Sequence, residues 1–137
     1  MKFMNVKATI DSNILIYAFG IQDISKNKIA REIISECNKI SLQAINETMF
    51  VLKRKFNFPV KELQEIIQFF KEKYSVKNTD IHTLETAMVI IDKYHYSFWD
   101  SMMLASALKN GCTVIYSEDM QHEQIIEKKL KIINPFV

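Results

Sequence analysis

The chain has 137 residues, of which 48% are hydrophobic and 25% are charged, and its net charge is +2. These values are typical of one soluble globular domain and exclude a disordered chain, while the charge is too small to demonstrate a nucleic-acid partner. No apolar run approaches the roughly 18 residues of a membrane span, and residues 1–6 are too short and interrupted for a signal peptide. Two cysteines without a pairing pattern suggest buried free thiols. We therefore expect a cytoplasmic protein.

Apolar spacing and turn residues predict alternating strands and helices in the first half of the chain. In chain order, these elements are a strand over 7–10, a buried helical turn over 14–20, a helix over 26–37, a strand over 40–43, a helix over 46–55 and an amphipathic helix over 60–74. The second strand is expected to lead directly to its helix.

The second half continues the alternation. Its predicted elements are a short strand over 75–77, a helix over 81–94, a strongly apolar helix over 100–110, a strand over 112–116 and a last strand over 131–133. Gly111 stands where a left-handed residue commonly ends a helix. The pattern predicts a single domain over 1–137, in the α/β class, with three α/β/α layers and a central, mostly parallel sheet.

Four acidic residues fall where a strand ends or a helix begins: Asp11, Glu47, Asp100 and Asp119. In a parallel α/β sheet, the carboxyl ends of the strands and the amino ends of the helices share one edge. Asp11 and Asp119 each follow a strand, and we expect Glu47 and Asp100 each to open a helix. The helix and strand between Asp100 and Asp119 have matched lengths, about 16 Å and about 17 Å, which returns the chain to the same level. All four are therefore predicted on one edge.

Each acid alone has a simple structural explanation as a helix cap or a turn residue. Four carboxylates on one edge are harder to explain this way, because two like charges at about 4 Å repel by about 1–4 kcal/mol. A bound divalent cation would compensate that repulsion. Oxygen ligands without paired Cys or His favour Mg²⁺ or Mn²⁺ over Zn²⁺. Such an ion binds a phosphodiester and activates water, so we expect metal-dependent phosphodiester hydrolysis.

These residues also lie in segments that resemble the PIN-domain ribonucleases, most closely the VapC-type toxins of bacterial and archaeal toxin–antitoxin pairs. The resembling segments are 9–18, 45–47, 99–101, 117–122 and the closing 133–136. Residues from about 56 to 95 carry no diagnostic motif. Each motif alone has little specificity, but the four in this order and spacing are fairly specific.

The resemblance implies that Asp11, Glu47, Asp100 and Asp119 form the metal-binding and catalytic quartet of a Mg²⁺-dependent endoribonuclease. It also implies an RNA substrate, a cognate antitoxin and a homodimer. Three further positions are predicted to assist: Asn13 by orienting Asp11, Ser117 as a hydroxyl where the family often has Thr, and His122 as a donor to a substrate phosphate. Glu118 competes with Asp119 as a ligand, and the motif favours Asp119.

Other functions remain open on the sequence alone. A PIN nuclease in housekeeping RNA processing has the same residues as a toxin. A phosphatase of the Asp-x-Asp type requires Asp at the position of Asn13, and a receiver domain requires a mid-chain Asp that residues 50–59 lack. A non-catalytic binding module, with the acids as helix caps only, predicts no response of stability to Mg²⁺.

Overall fold

The computed structural model describes residues 7–137. Its elements, in chain order, are β1 (Ala8–Ile10), α1 (Ser12–Phe19), α2 (Ile24–Glu36), β2 (Lys39–Ser41), α3 (Leu42–Arg54), α4 (Val60–Lys73), β3 (Ser75–Lys77), α5 (Ile81–Tyr94), α6 (Phe98–Lys109), β4 (Val114–Tyr116), β5 (Ile125–Ile126) and β6 (Leu130–Ile133).

The central sheet has four strands in the order β1-β4-β6-β5. β1 and β6 each pair with β4 in parallel, with Thr9 beside Ile115 and Ile115 beside Ile132. β2 and β3 form a separate parallel pair, and β2 packs next to β1. The α/β class and the mostly parallel sheet are confirmed.

The core lies around α6 and the central strands. Every residue of α6 from Ser101 to Ala107 is buried, because this helix contacts α5 on one side and strands β2, β4 and β6 on the other. Ile10 of β1 and Ile115 of β4 are fully buried in the same core. The apolar character of the helix follows from this position, since a helix covered on all sides has no polar face.

Several predicted boundaries were wrong, and local capping explains most of them. α3 begins at Leu42 rather than at residue 46, because the Ser41 hydroxyl accepts a hydrogen bond from the Ala44 N–H at 3.1 Å. α6 begins at Phe98 rather than at Asp100, because Ser97 caps it in the same way. Neither Glu47 nor Asp100 therefore opens its helix.

Two further differences concern the strands. β4 begins at Val114 rather than at Cys112, because the Cys112 N–H bonds to the Ala107 carbonyl of α6 at 3.0 Å and not to a strand. β5 was not predicted; it has two residues and pairs antiparallel with β6. Gly111 does adopt a positive φ, 71°, as predicted.

Two remaining expectations concern the chain as a whole. Cys37 and Cys112 are buried and unpaired, as predicted. Among residues 7–137, none of the helices combines the length and apolar character needed to cross a bilayer. The prediction about a signal peptide concerns residues 1–6, which lie outside the described part of the chain.

Candidate active site

Asp11 joins the end of β1 to the start of α1. Its backbone N–H continues the ladder by donating to the Tyr116 carbonyl at 2.9 Å, and its side chain caps α1 by accepting from the Ser12 N–H at 2.7 Å. The buried Ser117 hydroxyl donates to the other carboxylate oxygen at 2.8 Å. Asp11 itself is only 5% exposed, so its carboxylate is held by protein groups rather than by water.

Ser12 links Asp11 to Glu47. The Ser12 hydroxyl donates to Glu47 Oε1 at 3.0 Å and lies 3.4 Å from Asp11 Oδ1. Although Glu47 lies in the second turn of α3 rather than the first, its side chain still reaches the end of β1. The structure therefore brings these two acids together, although they lie 36 positions apart in the chain.

Asn13 links Asp11 to Asp119. Its amide nitrogen donates to Asp119 Oδ2 at 3.1 Å and lies 3.4 Å from Asp11 Oδ2. Its amide oxygen accepts from the Glu118 N–H at 3.2 Å, which fixes the loop after β4 against α1. Asn13 was predicted to orient Asp11, and its amide nitrogen lies closer to Asp119 than to Asp11.

The fourth acid, Asp100, lies in the first turn of α6 and is half-buried. Burial raises the pKa of its carboxyl, hydrogen bonding from Ser97 opposes that rise, and the neighbouring charge of Asp119 adds to it. The charge of Asp100 in turn acts on Asp11. Asp11, Glu47, Asp100 and Asp119, hereafter the acidic quartet, therefore share one end of the sheet.

The pKa of Asp11 is raised from 3.8 to about 6. Burial is the largest cause, and the charges of Asp100 and Glu47 contribute in the same direction. Hydrogen bonds from Ser117 and Ser12 oppose the shift because they stabilise the carboxylate. The site thus holds an ionisable group whose charged form is unfavourable without a cation.

Glu118, the alternative to Asp119, has partners of its own. Its carboxylate forms an ion pair with Lys26 and accepts from the Tyr17 hydroxyl at 2.6 Å. Burial acts to raise the pKa of Glu118, but the hydrogen bonds from Lys26 and Tyr17 outweigh it and lower the pKa. The charge of Glu118 is therefore compensated, while the adjacent Asp119 accepts from Asn13 and acts on Asp100.

Within residues 7–137, the salt bridges involve other acids, and no Lys, Arg or His pairs with a member of the acidic quartet. In the same part of the chain, no three acidic, His or Cys side chains are grouped tightly enough to hold an ion as they stand. The quartet is a set of neighbouring, uncompensated carboxylates rather than a closed cage. Mutual repulsion opposes a tighter grouping of such charges.

Comparison with known proteins identifies the fold and the family. The family model described as PIN domain matches residues 8–128. The chain belongs to the PIN domain family. No curated protein sequence matches the chain.

Solved structures of toxin–antitoxin proteins share this fold at low sequence identity. A toxin–antitoxin complex from Klebsiella pneumoniae has a TM-score of 0.70 and 18% identity, over 93% of this chain and 97% of that one. VapC20 from Mycobacterium tuberculosis, described as a sarcin–ricin loop cleaving toxin, has a TM-score of 0.67 and 18% identity, over 82% and 89%. DNA-bound VapBC from Salmonella typhimurium has a TM-score of 0.63 and 17% identity, over 93% and 96%.

His122 lies outside the hydrogen-bonded network of this PIN domain's quartet. Its Nδ1 accepts from the Asn134 N–H at 2.9 Å, and its Nε2 lies 3.2 Å from Glu123. Both ring nitrogens therefore have local partners that tie the loop after β4 to the C-terminal segment. Its predicted role toward a substrate phosphate stays a prediction.

Gln43 also belongs to the site, although it was not predicted from the sequence. Its side-chain nitrogen donates to the Trp99 carbonyl at 3.0 Å and lies 3.3 Å from Glu47 Oε2, so it joins the start of α6 to the quartet. The spacing of four residues from Glu47 on one helix was the available signal. The contact with Trp99 spans 56 residues and has no local signature.

Proposed function

We propose that this PIN domain is a divalent-metal-dependent endoribonuclease and the toxin of a toxin–antitoxin pair. The observation that supports this most strongly is the acidic quartet, in which a buried carboxylate with a raised pKa lies among acids that lack cationic partners in the described chain. Uncompensated charge of this kind destabilises a fold unless a ligand compensates it.

The donor set fits Mg²⁺ or Mn²⁺, because it consists of carboxylate oxygens and includes no thiolate or imidazole. Asp11, Glu47, Asp100 and Asp119 would hold the ion. When bound, such an ion stabilises the charge that develops on a phosphodiester during cleavage and activates water for attack.

The remaining residues of the site act on the carboxylates. Ser117 and the Ser12 N–H hold Asp11 by hydrogen bonds to both of its oxygens. The Ser12 hydroxyl and the Asn13 amide extend this network to Glu47 and Asp119. These contacts fix the direction of the acids before a ligand arrives, which reduces the ordering that binding requires.

RNA is the proposed substrate on two grounds. The sequence motifs resemble those of PIN-domain ribonucleases, and one structural neighbour is described as a sarcin–ricin loop cleaving toxin. Because several neighbours are complexes of a toxin with its antitoxin, we also propose a cognate antitoxin as a partner. The homodimer and the cytoplasmic location stay predictions.

Expression of the chain in bacteria tests the nuclease and the toxin together. Brief expression should produce new RNA 5′ ends at defined sites and arrest growth, and Asp11→Asn should abolish both. Asp92→Asn, which removes an exposed carboxylate from α5, is the matched control and should behave like the unchanged protein. Cleavage without growth arrest would favour a housekeeping RNA-processing role. Identical RNA ends with Asp11→Asn would contradict the proposal.

A further inference from the structure

A cavity of about 600 Å³ lies directly beside the acidic quartet. Glu47 contributes to its wall, and Trp99, which precedes Asp100, forms another part. The rest includes the apolar side chains of Leu42 and Met102 and the amides of Asn46 and Asn78. Its volume lies in the range of small-molecule sites, and it combines apolar walls with a few polar groups.

Trp99 is exposed to an unusual degree for its size. Its relative accessibility is 61%, and its ring meets that of Phe98 edge-on at a centroid distance of 4.8 Å. The hydrogen bond from Gln43 to the Trp99 carbonyl fixes this backbone relative to Glu47. The structure thus presents a large aromatic surface at a defined place next to the acids. An aromatic face of this kind is what a nucleobase stacks on.

The two amides complete the chemistry of the cavity. Neither Asn46 nor Asn78 has a side-chain hydrogen bond to another residue within 7–137. Each amide offers both a donor and an acceptor, which is the pattern that the edge of a base requires. A purely apolar occupant would leave these groups without partners.

The charge of the site determines what else an RNA strand needs here. Where no cation compensates it, the acidic quartet repels phosphates, so attraction to the RNA backbone does not by itself hold a strand at this place. Stacking does not depend on charge of either sign. It is available only to an unpaired base, because the bases of an A-form duplex are already stacked and their major groove is too narrow for side chains.

We propose that this cavity binds one unpaired base of the RNA strand, stacked on Trp99 with its edge toward Asn46 and Asn78. The inference rests on the proposed nuclease function, and it deepens that function by assigning a base-binding position next to Glu47. Trp99 is then a positioning residue, which holds the strand by stacking whatever the identity of the base.

The chain has a single tryptophan, so its emission reports on this cavity alone. The test uses the Asp11→Asn protein with a mixed-sequence single-stranded RNA of about eight nucleotides, so that binding is followed without cleavage. Tryptophan emission should be quenched saturably, with the same midpoint as the anisotropy of the labelled RNA. Binding by anisotropy with unchanged emission would overturn the proposal.

Substitutions separate stacking from general effects. In the Asp11→Asn background, Trp99→Ala should weaken RNA binding by about fivefold or more, while Trp99→Phe should retain most of the affinity. Phe50→Ala is the matched control, because Phe50 is 63% exposed on α3 and does not line the cavity. Equal affinities of the Trp99→Ala and Phe50→Ala proteins would overturn the proposal.

The failure of this inference is distinguishable from that of the proposed function. In proteins with Asp11 intact, the KM for cleavage of the same RNA is measured with and without Trp99→Ala. An unchanged KM would refute the base-binding site and leave the proposed nuclease unaffected. Absence of cleavage by the unchanged protein with Mg²⁺ or Mn²⁺ would contradict the nuclease itself.

Discussion

The pKa of Asp11 predicts how the stability of the metal-free protein depends on pH. Burial, with smaller contributions from Asp100 and Glu47, raises this pKa from 3.8 to about 6. The difference between these two pKa values corresponds to about 3 kcal/mol. Because the folded protein binds the proton more tightly, this contribution to stability is full below about pH 4 and is lost as the pH rises through 6. At neutral pH the ionised carboxylate therefore opposes folding.

The substitution Asp11→Asn removes this titration while keeping the size of the side chain. The free energy of unfolding of the variant, relative to the unchanged protein, should rise by about 2–3 kcal/mol between about pH 4 and about pH 7. The variant also loses acceptor capacity toward Ser12 and Ser117. The part of that loss that depends on ionisation is already contained in the pKa of Asp11. The remainder does not depend on pH, so it shifts the whole curve and leaves its slope unchanged.

Urea unfolding in EDTA at fixed ionic strength measures the two free energies at each pH. Asp92→Asn is the control that subtracts the effect of removing one surface charge, since Asp92 is exposed on α5. A difference between the Asp11→Asn and unchanged proteins that is flat across this pH range would refute the reasoning. A difference that falls as the pH rises would show that the protein stabilises the carboxylate instead.

Three further predictions concern metal binding, the contacts of Asn13 and the turn after α6. Mn²⁺ at about ten times its dissociation constant should raise the melting temperature of the unchanged protein by a few degrees, and Asp100→Asn should remove this response in differential scanning fluorimetry. Asn13→Ala should reduce cleavage by about 10–100-fold in a fluorescent-RNA assay, because the variant loses the hydrogen bonds of the Asn13 amide to Asp119 and to the Glu118 N–H. Unchanged cleavage would contradict a positioning role of Asn13. Gly111→Ala should lower the free energy of unfolding by about 1 kcal/mol, measured with urea, because a φ of 71° is strained for alanine. An added Cβ meets no atom within 4 Å, so we expect no further change and unaltered RNA cleavage. An unaffected free energy of unfolding would contradict this.

Local signals predicted the parts of the fold that depend on neighbouring residues. The strand before Asp11, the helix after Pro59 and the left-handed Gly111 were all recognised from spacing and residue type. The start of α3 was misplaced because Ser41 was assigned to a strand, although the same residue ends β2 and caps the helix. A strand as short as β5 has no periodicity to detect, so its pairing with β6 was missed.

The candidate site shows the same division between local and long-range information. Sheet geometry was sufficient to predict that the quartet shares one end of the sheet, although two of its members do not open their helices. The network that holds the acids was harder to predict, because it depends on contacts across the chain, such as that of Asn13 with Asp119. The pairing of Lys26 with Glu118 spans 92 residues and has no sequence signature.

RNA cleavage by metal-stripped protein tests the central claim most directly. The protein is dialysed against EDTA and then assayed on a single-stranded RNA with and without added Mg²⁺ or Mn²⁺, beside Asp100→Asn and Asp92→Asn. The account predicts that the unchanged and Asp92→Asn proteins cleave only after a divalent ion is restored, and that Asp100→Asn does not cleave. Equal cleavage in EDTA, or full activity of Asp100→Asn with the ion, would contradict it.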